Sequence, residues 1–162
     1  MGLKVLNDRV HTDEIDLQII RILNEDGRAS FAHIAETLGV SPGMIRQRYN
    51  RLVEEGVVQV VAITNSMQMG LTTMAQIGVK VDVNRMQEIA DQIADFEEVI
   101  YLVLLTGSYD LFVEVVCRDR EHLLDFLTNK LHSVEGVREA ETFIYLKIAK
   151  EVYTLAGNLG VK

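Results

Sequence analysis

Residues 41–58 read SPGMIRQRYNRLVEEGVV, and they set Arg46, Arg48 and Arg51 within six residues in a chain whose formal net charge is -8. The stretch carries its own helix signals. Ser41 is a preferred N-cap, and Pro42 sits at the first helical position, where a missing N–H costs nothing. Projected at about 100° per residue, Ile45, Tyr49, Leu52 and Val53 fall within one arc, which must pack on other elements. Gly43, Gln47, Asn50, Arg51 and Glu54 point away, and Arg46 and Arg48 flank the apolar arc on opposite sides. Glu and Lys, the usual solubilising residues, are absent from positions 42–53.

Upstream of this helix the apolar residues also recur at helical spacing. Thr12 is placed to cap a first helix, with Asp13, Glu14 and Asp16 in its positive first turn and Ile15, Ile19, Ile22 and Leu23 as its buried stripe. Gly27 is a plausible stop. Ser30 caps a short second helix with Phe31, Ile34, Ala35 and Leu38 on one side, and Gly39 ends it. Three helices with very short turns form a helix-turn-helix pattern, and the SPGMIRQRYN helix occupies its second, recognition slot. Arg can pair with the acceptor edge of guanine, Asn or Gln with adenine, and any Arg with phosphate. The small Gly43 lets the backbone approach DNA closely. Double-stranded DNA is the expected partner, with Ser41, Gly43, Met44, Arg46, Gln47, Arg48, Asn50 and Arg51 as candidate contacts.

Downstream the period changes. VVQVVAI, residues 57–63, is β-branched and too short for a helix, so a strand is expected there. TNSMQMGLTT carries no clear period and serves as the linker. Residues 75–83 alternate, with Ile77, Val79, Val81 and Val83 on one face. A helix is expected from Asn84, bearing Met86, Ile89, Ala90, Ile93 and Ala94. FEEVIYLVLL reads as a strand, TGSYD as a turn and LFVEVVC as the returning strand. The pattern then repeats: Asp119 caps a helix with Leu123, Leu124, Leu127 and Leu131, and a last strand alternates through Ala140, Thr142, Ile144, Leu146 and Ile148. The order is βαββαβ, so the fold class is α+β, a helix-turn-helix followed by a ferredoxin-like sandwich. The expected layout is a DNA-binding domain over 1–64, a linker over 65–72, a ferredoxin-like domain over 73–150 and a tail over 151–162. Val99 to Leu105 is apolar at nearly every position except Tyr101, so both faces of that strand are expected to be buried. A second copy of the sheet is the simplest cover, which predicts a homodimer.

Composition bounds the function classes. In 162 residues, 48% are hydrophobic, 25% charged and only 1 is Pro, a globular composition. No apolar run reaches the roughly 18 residues that span a bilayer. MGLKVLNDRVHT has neither the apolar core nor the cleavage site of a signal peptide, and Leu6 breaks a myristoylation pattern, so a cytoplasmic protein with no membrane partner is expected. The lone Cys117 cannot form an internal disulfide. His11, His33, His122 and His132 have no second ligand at metal spacing, so no metal and no cofactor are expected. Glu139 and Glu141 share a strand face, read as solvent-facing. The aromatic signature of an RNA-recognition sheet is missing, and no phosphate-cradling glycine loop occurs. No catalytic set emerges.

DEIDLQIIRILNEDGRAS, followed by FAHIAETLGVSPGMIRQRYNRLVEEGVV and continuing through TGSYD and the second βαβ unit, resembles the Lrp/AsnC (leucine-responsive, feast/famine) family of prokaryotic transcription regulators. The resemblance implies a winged helix-turn-helix joined to a ligand-sensing ferredoxin-like domain. It also implies dimers that assemble into octamers or discs, and operators contacted by paired recognition helices. Gly43-Met44 departs from the bulkier or polar residues often found there. In the family, the glycine-containing hairpin lies at an interface between dimers and forms part of an amino-acid effector pocket. Carried over, Thr106, Gly107, Ser108, Tyr109 and Asp110 are the candidate effector residues, with Thr142 added from the last strand. The residues agree in kind: a turn with exposed N–H groups can hold a carboxylate, and Asp110 can pair with an ammonium group. The competing reading is a sirohaem decarboxylase of the same two-domain layout. It needs basic residues in the second domain to hold tetrapyrrole carboxylates, and there Arg85, Arg118, Arg120 and Arg138 are few and none lies beside a strand histidine.

Overall fold

The computed structural model of the chain describes residues 11–151. These divide into two compact units, one taking the chain up to Ile63 together with Lys150 and Glu151, and one spanning Thr64–Ala149. Most of the expected tail, residues 152–162, lies outside the described residues.

The first unit holds α1 (Glu14–Glu25), α2 (Phe31–Leu38) and α3 (Pro42–Glu54). Its local signals are short side chains meeting open N–H groups. The Ser30 side chain accepts from the His33 N–H, and Ser41 from the Met44 N–H. Gly39 closes α2 with a φ of 66°, a left-handed conformation that glycine adopts without a Cβ clash. α1 is capped by Asp13 rather than by Thr12. The Asp13 carboxylate accepts from the Asp16 N–H and the Asp16 carboxylate from the Asp13 N–H, so two open donors are satisfied reciprocally. Ile19, Ile34, Ala35 and Ile45 form the core, and Tyr49 lies tilted on Phe31 with ring centroids 5.2 Å apart. Val53, expected in the buried arc, is exposed. It sits one residue round from buried Leu52, at the margin of the stripe.

Residues 57–63 form no strand. The Val57 and Val58 N–H groups fold back onto the Leu52 carbonyl, and Val60, Val61 and Ile63 run on exposed. A strand exists only with a partner, and the wing implied by the resemblance finds none among the described residues of one chain.

The second unit builds β1 (Thr73–Val81), α4 (Met86–Ala94), β2 (Val99–Leu104), β3 (Leu111–Cys117), α5 (Arg120–Asp125) and β4 (Val137–Ile144). The sheet order is β2-β3-β1-β4 with every neighbour antiparallel, the ferredoxin-like arrangement. Ala75, Ile77, Val79 and Val81 of β1 and Leu111, Val113, Val115 and Cys117 of β3 bury one face against Ile89, Ala90 and Ile93 of α4 and Leu123, Phe126 and Leu131 of the second helical segment. After Asp125 that segment runs on through a wide turn over Phe126–Lys130 and a 3-10 turn over Leu131–Ser133. Val83 leaves the strand and is exposed, because Asp82 caps a 3-10 turn over Val83–Arg85 that delays α4 to Met86.

β4 stops at Ile144, short of the expected Ile148. The Tyr145 N–H still reaches the Met74 carbonyl at 2.9 Å, but β1 begins at Thr73 and offers nothing further, so Leu146 is exposed. β2 is an edge strand, and the expectation that both its faces are buried fails within one chain: Ile100 is 55% and Leu104 40% exposed, along with Tyr101. The helices cover only one side of the sheet. Register places Tyr101 and Val103 with Phe112, Glu114, Gln76 and Phe143 on the uncovered side.

Candidate DNA interface and effector site

α3 presents Gly43, Met44, Arg46, Gln47 and Asn50 exposed on its outer side. Among the described residues Arg46 makes no ion pair, so its guanidinium is free for an external acceptor. Ser41 is exposed, with its Oγ committed to the helix cap.

Arg48 and Arg51 lie differently from the outward arginine face that the wheel suggests. Arg48 Nη1 donates to both Asp13 oxygens, at 2.8 and 2.7 Å, and to Asp16 Oδ1 at 2.9 Å. Arg51 Nη2 donates to Asp16 Oδ2 at 2.5 Å, and its Nη1 donates to the His11 carbonyl at 3.3 Å and lies 3.6 Å from Glu55. The Asp16 side chain is 1% exposed, against 24% for Arg48 and 38% for Arg51. Burial alone pushes the Asp16 carboxyl up, but the Asp13 N–H and the two guanidiniums outweigh it and hold the group below its ordinary range. The Arg48 hydrogen bond does the same for Asp13.

In the second unit, Gly107 turns the 106–110 loop with a φ of 144°. Thr106, Gly107 and Ser108 are exposed at its tip. The Tyr109 ring lies flat over Gly78, so close that a Cβ there would stand 2.8 Å from it, and its hydroxyl donates to Glu141. Ser108 and Tyr109 thereby line a cleft of about 180 Å³ with Lys80, Glu139 and Glu141. Lys80 donates to Glu139 at 2.7 Å, and that bond raises its pKa.

Of the six effector candidates only Ser108 and Tyr109 line this cleft; Thr106 and Gly107 stay at the loop tip, and Asp110 and Thr142 are placed elsewhere. The Asp110 carboxylate accepts from the Val81 N–H at 2.9 Å, which commits it to the end of the β1–β3 ladder. Thr142 is paired with Ile77 and shares its helix-covered face, whereas Glu141 is paired with Gly78 on the uncovered face of the cleft. Sequence reasoning missed Lys80, Glu139 and Glu141 as cleft residues. Alternation along the two strands puts all three on one face, which was a usable signal.

A helix-turn-helix with an exposed amide- and guanidinium-bearing helix, joined to a ferredoxin-like unit, defines the class of DNA-binding regulators with a ligand domain. Comparison with known proteins gives the family. The AsnC-type helix-turn-helix domain matches residues 13–53, and the Lrp/AsnC ligand binding domain matches residues 74–155. The HTH-type transcriptional regulator FL11 of Pyrococcus abyssi is 35% identical over 148 residues, 91% of this chain and 97% of its own. The regulator Ptr1 of Methanocaldococcus jannaschii is 31% identical over 140 residues, covering 86% and 95%. Among solved structures, E. coli AsnC superposes with a TM-score of 0.83 at 25% identity, covering 91% of this chain and 99% of that one. A transcriptional regulator of Neisseria meningitidis, solved as an L-Met complex, gives 0.81 at 26%, covering 90% and 96%.

The chain belongs to the Lrp/AsnC family and is a DNA-binding transcriptional regulator. Both halves match regulators, so the decarboxylase reading is set aside. Among the described residues no helix is long and apolar enough to cross a membrane.

Proposed function

We propose that this regulator reads its operator through Arg46, Gln47 and Asn50 of α3, and that an amino acid bound in the ligand domain sets its assembly and operator affinity. The observation that carries the effector half is the cleft of Lys80, Ser108, Tyr109, Glu139 and Glu141. It offers a cation for a carboxylate and two carboxylates for an ammonium group, the two ends of any free amino acid. The L-Met complex of the Neisseria relative supports this ligand class. The uncovered sheet face with Tyr101 and Phe143, together with the exposed apolar side chains of Val60, Val61 and Ile63, supports a homodimer that assembles further, with an octamer as the expected end point. The protein acts in the cytoplasm.

An effector between subunits alters function only by preferring one assembly over another, with coupling of about 1–3 kcal/mol, or about 5- to 150-fold in affinity. The test combines sedimentation with binding to a labelled duplex from the gene's own upstream region, with each amino acid added in turn. At least one amino acid is expected to shift both oligomer size and affinity, and Glu141→Gln to remove the response while leaving DNA binding intact. If every amino acid leaves both quantities unchanged, the effector reading is wrong.

A further inference from the structure

The three arginines of α3 do not form one positive surface. Arg46 stands alone, while Arg48 and Arg51 are met by Asp13, Asp16 and Glu55, three carboxylates against two guanidiniums. The surface beside the recognition helix therefore carries one net negative charge where the sequence suggests two positive ones. A phosphate cannot readily take either arginine away. Asp16 is 1% exposed, so water cannot replace the guanidiniums that leave it, and an orphaned buried carboxylate opposes the exchange. Asp13 already gives both oxygens to Arg48.

We infer that Asp16, assisted by Asp13, is a positioning residue for DNA recognition: it draws Arg48 and Arg51 onto α1, withholds them from phosphate and so restrains sequence-independent DNA affinity. The inference rests on α3 being the DNA-contacting helix, as proposed above. Binding that draws less on phosphate charge depends more on base edges, where Gln47, Asn50 and Arg46 can discriminate. The same acids fix the face that α3 presents, because two of its side chains are tied to the first turn of α1.

The test is the salt dependence of binding by the full chain to a short duplex of random sequence. Each neutralised phosphate contributes a slope of about -0.9 in log affinity against log salt. Arg46→Gln is expected to make the slope shallower by about 0.9, and Arg48→Gln and Arg51→Gln to leave it unchanged. Asp16→Asn is expected to steepen it by about 0.9 to 1.8 and to raise random-duplex affinity, as freed guanidiniums reach phosphate. A purely structural role for Asp16 lowers affinity without steepening the slope. Asp13→Asn, at a more exposed position, gives the same sign more weakly and serves if Asp16→Asn loses native circular dichroism. A slope that becomes shallower in Arg48→Gln or Arg51→Gln as it does in Arg46→Gln overturns the inference. So does an unchanged slope in both folded aspartate variants. If the wild type binds no duplex at any salt concentration, the DNA role of α3 falls first and this inference with it.

Discussion

Glu98 is a charged side chain buried in the second unit, 2% exposed at the entry to β2. Its Oε1 accepts from Lys130 Nζ at 2.6 Å and meets His122 Nε2 at 3.0 Å, while no donor reaches Oε2. The Arg118 N–H donates to His122 Nδ1, so the ring proton sits on Nε2 and points at Glu98. Burial alone pushes the Glu98 carboxyl up; Lys130 leads the groups that bring it below its ordinary value of 4.5. A carboxyl with a depressed folded pKa contributes stability that is present above the unfolded pKa and lost as pH falls through the folded one. Lys130→Met removes the leading partner while burial still pushes the carboxyl up, so the stability lost as pH falls through the carboxylate range is expected to shrink. At neutral pH the loss is expected to be about 3 kcal/mol, the low end for breaking a buried pair, because Lys130 keeps some contact with water. Urea unfolding of both proteins across acid and neutral pH measures the loss and its pH dependence together. Parallel pH profiles would show that Lys130 does not control Glu98.

At the scale of elements, α3 separates two roles that one position can serve. Ser41 is both a candidate DNA contact and the residue whose Oγ caps the helix. Ser41→Ala is expected to cost about 1 kcal/mol of stability through the lost cap. Ser41→Asp keeps the cap and favours the positive helix end, so stability is retained, but the added charge faces phosphate and weakens DNA binding. Thermal melts and duplex titrations on the two variants therefore move in opposite patterns, and a DNA defect confined to Ser41→Ala would contradict the assignment. This division also marks what was legible beforehand. Ser30, Ser41 and Asp119 announced their helices because a cap acts within three residues, and the alternation of β1 and β3 announced the sheet. The ion pairs of Arg48 and Arg51 were not legible, because a helical wheel contains no neighbouring helix and their aspartate partners lie 32 to 35 residues away. The hairpin turn at Gly107 was readable locally, but its cleft was not: Lys80 and Glu139 are 59 residues apart and meet only through the β1–β4 register. Segment 57–63 has the composition of a strand, yet pairing is a property of two segments and composition describes one.

At the scale of the whole molecule, the sheet leaves open the question of its second face. Tyr101 and Phe143, both about half exposed, share that face with Val103, Phe112 and Met74, an apolar surface interrupted by Gln76 and Glu114. A second copy laid on that face, as proposed above, would cover it and couple folding to association. For a dimer that unfolds to two chains, each tenfold rise in protein concentration adds about 1.4 kcal/mol to apparent stability. The wild type is expected to follow that dependence in urea unfolding. Val103→Glu buries an unpaired charge in the interface while its own helix-facing core is untouched, so it should sediment as a smaller species whose unfolding midpoint no longer moves with concentration. Its DNA affinity should fall although α3 is unaltered, because one recognition helix then binds where two had been held in register. A Val103→Glu protein that sediments like the wild type would place the subunit contact on another surface, with the exposed Val57–Ile63 segment the first to be probed by the same measurement.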